Sequence, residues 1–376
     1  MNFVVSSTEL LNHLLTVNKV ISSKNTLPIL DNFLINLKEK ELTITASDLE
    51  TTLISKMTLE NVDGDGEIAI DAKRLTNILK EFSDQPLTFN IDTQTLAIDI
   101  LSENGKFSVV GQSGEDFPQL PNLKEDKATK IPLKSELLLN GLSKTIFATA
   151  DDELRPVMNG VFVELSPENL TFVASDAHKL VRYKRGYTES EISSSFILPQ
   201  KPSSLLKNIL SKDDSPVNLE FDDKNAFFQF SNFKLTCRLV EGNYPSYESV
   251  IPVDNPNKLI IDRQDFYNTL KRVSVFSNQA SNLIKLSITG NQMTVSAQDL
   301  DFSISAHERI KCQYDGAEME IGFKSIFLIE ILSNISSPEI IIELSDPSRA
   351  GIILPVEKEF EDEDLLMLIM PMMINT

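Results

Sequence analysis

The sequence contains one short pattern three times, and each copy ends at an aspartate. The copies are LTITASD, LTFVASD and MTVSAQD, which end at Asp48, Asp176 and Asp299. Apolar and polar residues alternate in each copy, which is typical of a strand with one buried face. The aspartates are 128 and 123 residues apart. The pattern therefore predicts three similar units in tandem.

A second landmark keeps the same spacing, and a third opens each copy. A predicted helix follows each strand region, and the lysine at its start is Lys73, Lys201 or Lys324, again 128 and 123 residues apart. A polar residue followed by an apolar helical stripe also opens each copy, at 7–15, 134–138 and 263–267. Because independent landmarks share one register, chance similarity is a poor explanation of the repeat.

Each copy is predicted to contain a helix, several strands, a second helix and further strands. Asn104-Gly105 predicts a hairpin turn in the first copy, whereas the third copy has a longer acidic turn at 359–364. The predicted fold class is therefore α+β, with three tandem repeats of a domain in which two helices pack on mostly antiparallel sheet. The expected domains are 1–122, 129–253 and 258–376, joined by polar linkers at 122–129 and 254–258.

Open sheet edges constrain how such domains assemble. A strand edge must be paired or covered, so tandem copies can join edge to edge with their helices on one side. The unlike ends of identical chains then join head to tail, and the rotation per unit decides whether a ring closes. A closed ring is therefore allowed, and the number of chains in it stays open.

The charge balance argues against a general coat for nucleic acid. The chain has 35 Lys and Arg against 55 Asp and Glu, a net charge of −20, whereas phosphate contacts need clustered cations. The predicted helices at 71–80, 201–212 and 263–272 are nevertheless neutral to positive, and the acids crowd into turns. That distribution suits a ring with a weakly basic inner lining, which would contact DNA phosphates without reading the bases, and an acidic exterior. Ordinary solvated helix faces explain it equally well.

Other features disfavour several classes of protein. Cys237 and Cys312 form no CxxC pair, and no signal-peptide pattern opens the chain, so we expect a reduced cytoplasmic protein without a zinc site. His13, His178 and His307 belong to no metal-ligand or nucleophile motif, and no glycine-rich phosphate loop occurs, so an enzyme is disfavoured. A protein-interaction scaffold that never touches DNA remains the other alternative.

Five segments, taken in order, carry a resemblance to a known family. They are KNTLPIL from Lys24, RPVMNGV from Arg155, SDAHKL from Ser175, NYPSY from Asn243 and MPM from Met370. Together they resemble the bacterial DNA polymerase sliding clamps, the beta subunits of DNA polymerase III. The resemblance spans the whole chain and implies three similar domains per chain. It also implies a homodimer joined head to tail into a ring whose central hole is lined by helices.

The resemblance implies a processivity factor for DNA replication, without catalytic activity, cofactor or metal. In this family a clamp-loader ATPase opens the ring on primed double-stranded DNA, and replicative and repair DNA polymerases then bind one face. They bind through short peptides, often of the Gln-Leu-x-Leu-Phe type, in a pocket between the second and third domains. Met and Leu side chains give such a pocket an adaptable apolar surface.

The resemblance also assigns roles to individual residues. Sequence-independent DNA contact maps to Lys24, Lys73, Lys80, Lys201, Lys207 and Arg155. The partner-peptide pocket maps to Met158, Ala177, Leu180, Pro245, Val250, Met370, Pro371 and Met372, with His178 and Lys179 at its rim. The dimer interface maps to Phe107, Val275 and Phe276, with Arg74 as a candidate for ion pairing.

Some positions depart from the family pattern. Lys179 stands where the family usually has Arg, and Met373 stands where a basic residue commonly follows Met-Pro-Met. Pro156 and Val157 replace residues that are often aromatic, and a tail of Asn375-Thr376 follows. Apart from the resemblance, 365–372 is better explained as the last buried strand.

Overall fold

The computed structural model describes residues 1–119, 128–186 and 193–374. Most of the linker predicted at 122–129, the domain bound at 122 and the tail Asn375-Thr376 lie outside these ranges. Contacts among residues divide the chain into two compact units. The first comprises Met1–Glu136 and Ser204–Leu239, and the second comprises Leu137–Ser203 and Val240–Thr376.

Each repeat contains a helix, several strands, a second helix and further strands as predicted, but a strand that was not predicted precedes the first helix. The helices are α1 (Ser7–Val17), α2 (Ala72–Lys80), α3 (Ser135–Thr145), α4 (Gln200–Leu210), α5 (Arg263–Val273) and α6 (Ser325–Ser333). The strands up to residue 133 are β1 (Asn2–Ser6), β2 (Asn32–Lys38), β3 (Glu41–Ser47), β4 (Thr51–Thr58), β5 (Val62–Asp63), β6 (Gly66–Asp71), β7 (Pro86–Asp92), β8 (Ala97–Leu101), β9 (Lys106–Val110), β10 (Gln112–Ser113) and β11 (Thr129–Leu133). The middle strands are β12 (Gly160–Leu165), β13 (Asn169–Ser175), β14 (Lys179–Gly186), β15 (Ser194–Pro199), β16 (Val217–Phe221), β17 (Asn225–Phe230) and β18 (Phe233–Arg238). The last strands are β19 (Asn257–Asp262), β20 (Leu283–Thr289), β21 (Gln292–Asp299), β22 (Ile304–Lys311), β23 (Gln313–Asp315), β24 (Met319–Lys324), β25 (Glu339–Leu344), β26 (Gly351–Pro355) and β27 (Asp364–Ile369).

The first unit contains two antiparallel sheets. One has the strand order β5-β1-β7-β8-β9, and the other runs β10-β6-β2-β3-β4-β18-β17-β16-β11. In the larger sheet, β4 of the first repeat pairs with β18 of the second, with Ser55 opposite Phe233 and Thr51 opposite Cys237. Edge-to-edge joining of neighbouring repeats, which the open-edge argument predicts, is therefore confirmed within this unit.

The second unit repeats the arrangement one domain further along the chain. Its larger sheet has the order β15-β12-β13-β14-β27-β26-β25-β19-β23, and its smaller sheet has the order β22-β21-β20-β24. Here β14 of the second repeat pairs with β27 of the third, with Lys179 opposite Ile369 and Lys184 opposite Asp364. The same two types of strand thus meet at both junctions.

Helix starts are set by side-chain caps that accept backbone N–H groups. Ser6 Oγ accepts from Glu9 N at 3.3 Å, so the cap of α1 lies one residue before the expected position. Asp71 accepts from Arg74 N at 2.6 Å, and Asp262 accepts from Asp265 N at 2.7 Å. Such caps satisfy amide donors that have no partner inside the helix. Within their own units, α1 packs on α2 and α5 packs on α6.

A close helix-to-sheet contact in the second unit requires a residue without a side chain. Gly141 lies on α3 directly over the fully buried ring of Phe172 on β13. A Cβ atom at position 141 would lie 2.3 Å from that ring, which is far inside van der Waals contact. The helix therefore approaches the sheet only because glycine stands at this position.

We predict that Gly141→Ala destabilises the chain, because the added methyl group forces α3 away from Phe172. Overpacking of this kind costs about 1–3 kcal/mol, which exceeds the gain in helix propensity from alanine of at most about 1 kcal/mol. Urea unfolding followed by circular dichroism measures the change. Ser143→Ala on the same helix is the matched control, and equal stability of both variants would contradict the packing argument.

A histidine lies at the sheet junction of the first unit. His13 on α1 hydrogen-bonds Ser55 of β4 through Nδ1, and its ring stacks on Phe233 of β18 with centroids 5.7 Å apart. Burial lowers the pKa of His13 below its usual 6.5, although the nearby Glu9 carboxylate raises it. The folded chain therefore favours the neutral imidazole.

We predict a contribution of His13 to the pH dependence of stability. Because its folded-state pKa lies below its unfolded value, the contribution is complete above about pH 6.5 and is lost as the pH falls through the folded-state pKa. The difference in unfolding free energy between pH 7.5 and pH 5 is therefore expected to be smaller in His13→Gln. Parallel pH profiles for the two proteins would show that this histidine does not contribute.

Candidate functional site

An apolar cluster spans the β14–β27 junction in the second unit. It brings together strand residues of the second and third repeats and one residue of the segment between them. Its buried members are Val173, Leu180, Tyr247, Ala350, Ile352, Leu366 and Leu368. Leu180, predicted from the resemblance to line a pocket, is thus part of this core. Phe162, Tyr244, Ile251 and Leu354 pack against the cluster and stay partly exposed.

The turn before β14 carries three of the predicted pocket residues. Asp176 Oδ1 accepts the backbone N–H of His178 at 2.9 Å and of Lys179 at 2.8 Å, which closes a tight turn. Ala177 at its tip has a φ of +74°, a conformation that costs a non-glycine residue energy. The carbonyl of His178 accepts from Met370 N at 2.8 Å. This bond fixes the predicted pocket residues His178 and Met370 side by side.

Lys179 does not lie at an exposed rim as expected. Its side chain is only 5% exposed, and Nζ lies 2.8 Å from Asp176 and 3.1 Å from Glu330 on α6. The same ammonium group lies 4.3 Å from the centre of the Phe327 ring. A buried lysine needs such partners because an unpaired charge is costly away from water. Lys179 therefore links the second repeat to the third through its ion pairs with Asp176 and Glu330.

Other predicted pocket residues lie on the loop before β12 and on the segment that follows β18. Met158 is buried at the end of the loop, and its carbonyl accepts from Ala150 N at 2.9 Å. A Cβ at Gly242 would lie 2.9 Å from Val157, so the two segments touch. Tyr244 stacks on Phe162 with ring centroids 4.8 Å apart, and burial raises the pKa of its hydroxyl.

Apolar side chains remain exposed above this framework. Val250 is 56% exposed and Met370 is 41% exposed, while Pro245 is exposed on the same segment as Tyr244. Met372 and Pro371 are half-buried, because Met372 N donates to Gly322 O at 2.8 Å and holds the chain end on β24. The pocket residues predicted on these four segments are thus gathered in one compact unit, with an apolar surface open to solvent.

Cations on α2 and α4 fit the predicted contact with phosphates. Lys73 and Lys80 on α2 are exposed and form no ion pair with any described residue. The acid beside them, Asp71, is occupied as the helix cap. Lys201 and Lys207 on α4 are half-buried. Lys24 is exposed in a turn before β2, while Arg155 is held by Asp152 through Nε at 2.8 Å.

The third repeat does not supply the cations that its sequence suggests. Arg263 donates from Nε to Ser337 O at 3.0 Å and from Nη1 to Leu332 O at 3.2 Å. These bonds satisfy carbonyl groups at and just after the C-terminal end of α6. Arg272 pairs with Glu308 on β22. Two of the three cations in 263–272 are therefore used inside the fold.

The predicted dimer residues lie at two open sheet edges, each described within its own unit. Phe107 on edge strand β9 is 40% exposed and packs edge-on against Phe82, at 5.2 Å between centroids. Val275 and Phe276 are exposed just after α5, beside edge strand β22. Arg74 is exposed and lines a shallow groove with Val110. Residues that the sequence reasoning missed are the exposed apolar Val110, Leu300, Phe302 and Ile304 at the same edges.

The described residues show no cluster of three or more side chains that fits a metal ion. Within the same part of the chain, no helix is both long and apolar enough to cross a membrane.

Three family models together match nearly the whole chain. The N-terminal domain of the DNA polymerase III beta subunit matches residues 1–121, its central domain matches 132–246 and its C-terminal domain matches 248–373. The beta sliding clamp of Staphylococcus epidermidis is 28% identical over 384 residues, covering 99% of both chains. That of Pseudomonas aeruginosa is 26% identical over 374 residues, covering 99% of this chain and 100% of the relative.

Solved structures agree with these matches over the full length. The DnaN sliding clamp of Bartonella birtlesii, bound to griselimycin, superimposes with a TM-score of 0.92 at 28% identity and covers 100% of both chains. The DNA polymerase III beta subunit of Pseudomonas aeruginosa superimposes with a TM-score of 0.93 at 25% identity and equal coverage. The repeat, the sheet topology and these matches lead to one conclusion: the chain belongs to the DNA polymerase III beta subunit family, the beta sliding clamps.

Proposed function

We propose that two copies of this chain close head to tail into a ring that encircles duplex DNA and tethers the replicative polymerase for processive synthesis. Family membership supports this role. In the proposed role the chain performs no catalysis, works in the cytoplasm, is opened by a clamp-loader ATPase and binds repair polymerases as well. The domains proposed for it are 1–122, 129–253 and 258–376.

The sheet edges are the observation that carries the proposal. At both junctions inside the chain, the strand that follows the repeated aspartate motif in one repeat pairs with the third strand after the second helix of the next repeat. These pairs are β4 with β18 and β14 with β27. The two strands of these types that remain are β22 in the third repeat and β9 in the first. In the described chain no strand pairs with the outer edge of either one.

Pairing of β22 with β9 of a second copy repeats the junction a third time. The chain's own edges are unlike, so the contact is heterologous, and two copies give two equivalent contacts. Both edges expose apolar side chains to solvent: Val110 on β9 is 73% exposed and Ile304 on β22 is 39% exposed. Exposed edges with such residues are prone to pair with another chain.

We predict that acidic substitutions at either edge alone break the dimer. Phe107→Glu changes the β9 side, and Val275→Glu with Phe276→Glu changes the β22 side. Each is expected to weaken dimerisation by at least roughly tenfold, since an unpaired charge buried in an interface costs more than about 1.4 kcal/mol. Sedimentation equilibrium distinguishes the 42.1 kDa chain from its dimer.

Mixing the two variants tests the head-to-tail arrangement. A heterologous pair in the mixture keeps one intact junction, so a two-chain species is expected to reappear. Leu154→Glu, at a position that is 92% exposed and on neither edge strand, is the control and should remain dimeric. A mixture that stays monomeric, or a β22-side variant that dimerises normally, would argue for a different interface.

We predict that Lys73→Glu, Lys201→Glu and Lys207→Glu together weaken DNA binding regardless of base sequence. Loss of three phosphate contacts should lower the slope of log K against log salt by about 2.7. Fluorescence anisotropy with a labelled duplex measures the affinity, and retention on circular against linearised DNA measures sliding.

The matched control carries the same charge change at exposed lysines away from α2 and α4. It combines Lys38→Glu, Lys40→Glu and Lys224→Glu, and all three positions are exposed. Equal losses in both triple variants would mean that overall charge, and not a lining of these helices, controls DNA binding. A wild-type chain that leaves circular and linear DNA at the same rate would exclude encirclement.

A further inference from the structure

The apolar surface around Met370 is built from segments that are rich in carboxylates. Four segments meet there, namely 151–158, 175–180, 241–254 and 369–374. Their contacts are those of Val157 with Gly242, of Leu180 with Tyr247 and Leu368, and of His178 with Met370. Together the segments contain seven Asp and Glu but only two Lys and Arg. These four segments therefore carry more negative than positive charge.

The two cations of these segments do not offset that charge toward a ligand, because each is already paired. Arg155 donates to Asp152 at 2.8 Å, and Asp152 is fixed further by accepting the backbone N–H of Leu154 at 2.9 Å. Lys179 is buried between Asp176 and Glu330. The buried ammonium group of Lys179 is therefore closed to a carboxylate of a partner, and the charge of Arg155 is offset by Asp152.

Four carboxylates of the same segments remain exposed and form no ion pair with a described residue. Asp151 and Glu153 lie in the loop that leads to Met158, Glu248 lies two residues before Val250, and Asp254 follows Val253. Val250, an exposed apolar residue of the surface, thus has unpaired acids on the neighbouring backbone. The charge complement of this arrangement is a ligand that carries both apolar anchors and cations.

We propose that this surface selects partner peptides in which Lys or Arg flanks the apolar anchor residues. The inference rests on the proposed function, since it assigns the preferred chemistry of the peptides that bind there. The apolar anchors bury against Met370 and Val250, while the flanking cations face Glu153 and Glu248. Attraction between exposed charges raises the rate of association and weakens with salt. Anionic flanks are disfavoured by the same field.

Three synthetic peptides with one Gln-Leu-Ser-Leu-Phe core test the proposal on the full chain. Their flanks are two lysines, two serines or two glutamates, and fluorescence anisotropy gives each Kd at low and at high salt. The lysine-flanked peptide is expected to bind roughly fivefold or more tighter than the serine-flanked one at low salt, because two exposed ion pairs each contribute modestly. The glutamate-flanked peptide should bind most weakly, and the differences should shrink at high salt.

Variants in which acids are neutralised test which residues cause the preference for lysine-flanked peptides. Glu153→Gln with Glu248→Gln should remove most of the lysine preference and leave the serine-flanked Kd unchanged. Glu60→Gln with Glu168→Gln, two exposed acids on other segments, is the matched control and should keep the preference. Met370→Ala with Met372→Ala should weaken all three peptides, which places binding at this surface.

The outcomes separate this inference from the proposed function. Equal affinity for the three peptides, or a lysine preference that survives in the Glu153 and Glu248 variant, overturns the inference while peptide binding stands. Failure of every peptide to bind the intact chain overturns the peptide-binding role together with the inference.

Discussion

Pairing of sheet edges is the constraint on which the rest of the structure depends. A repeat of this kind exposes two unlike strand edges, and each exposes backbone donors and acceptors that water or another strand must satisfy. Inside the chain, β4 meets β18 and β14 meets β27, so two repeats share one sheet at each junction. One edge of each type remains, on β22 and on β9. The proposed ring follows from satisfying those two edges with a second copy.

The β14–β27 junction also creates the candidate peptide site. Strand pairing places Leu180 beside Leu368, and the turn before β14 then reaches Met370 through the carbonyl of His178. Lys179 holds the same turn to α6 through Glu330 and the Phe327 ring. Because the strand junction holds Met370 and the turn before β14 in place, a bound peptide meets a part of the surface that is already ordered, which lowers the entropic cost of binding.

An acidic molecule that binds DNA must separate its charges. In this chain several acids near helices have structural roles, since Asp71 and Asp262 cap helices and Glu308 pairs with Arg272. On α2 this leaves Lys73 and Lys80 exposed, and neither forms an ion pair with a described residue. Unpaired acids instead remain around the peptide surface, at Glu153 and Glu248. The proposed DNA contact and the proposed peptide preference therefore use opposite charges on different elements.

The sequence by itself determined the threefold repeat, the order of helices and strands, and the hairpin at Asn104-Gly105, because periodicity and turn chemistry act over neighbouring residues. Through the family resemblance of a short motif around Ser175 and of the C-terminal Met-Pro-Met run, it also predicted a set of apolar pocket residues. Only the tertiary structure decided which charged side chains are paired inside the fold and which remain exposed to solvent. Lys179 is buried beside Glu330, which lies about 150 residues away in sequence, and Arg263 is held by carbonyls at the end of α6. No local pattern reveals such partners, since an ion pair depends on which distant segments the sheet junctions bring together.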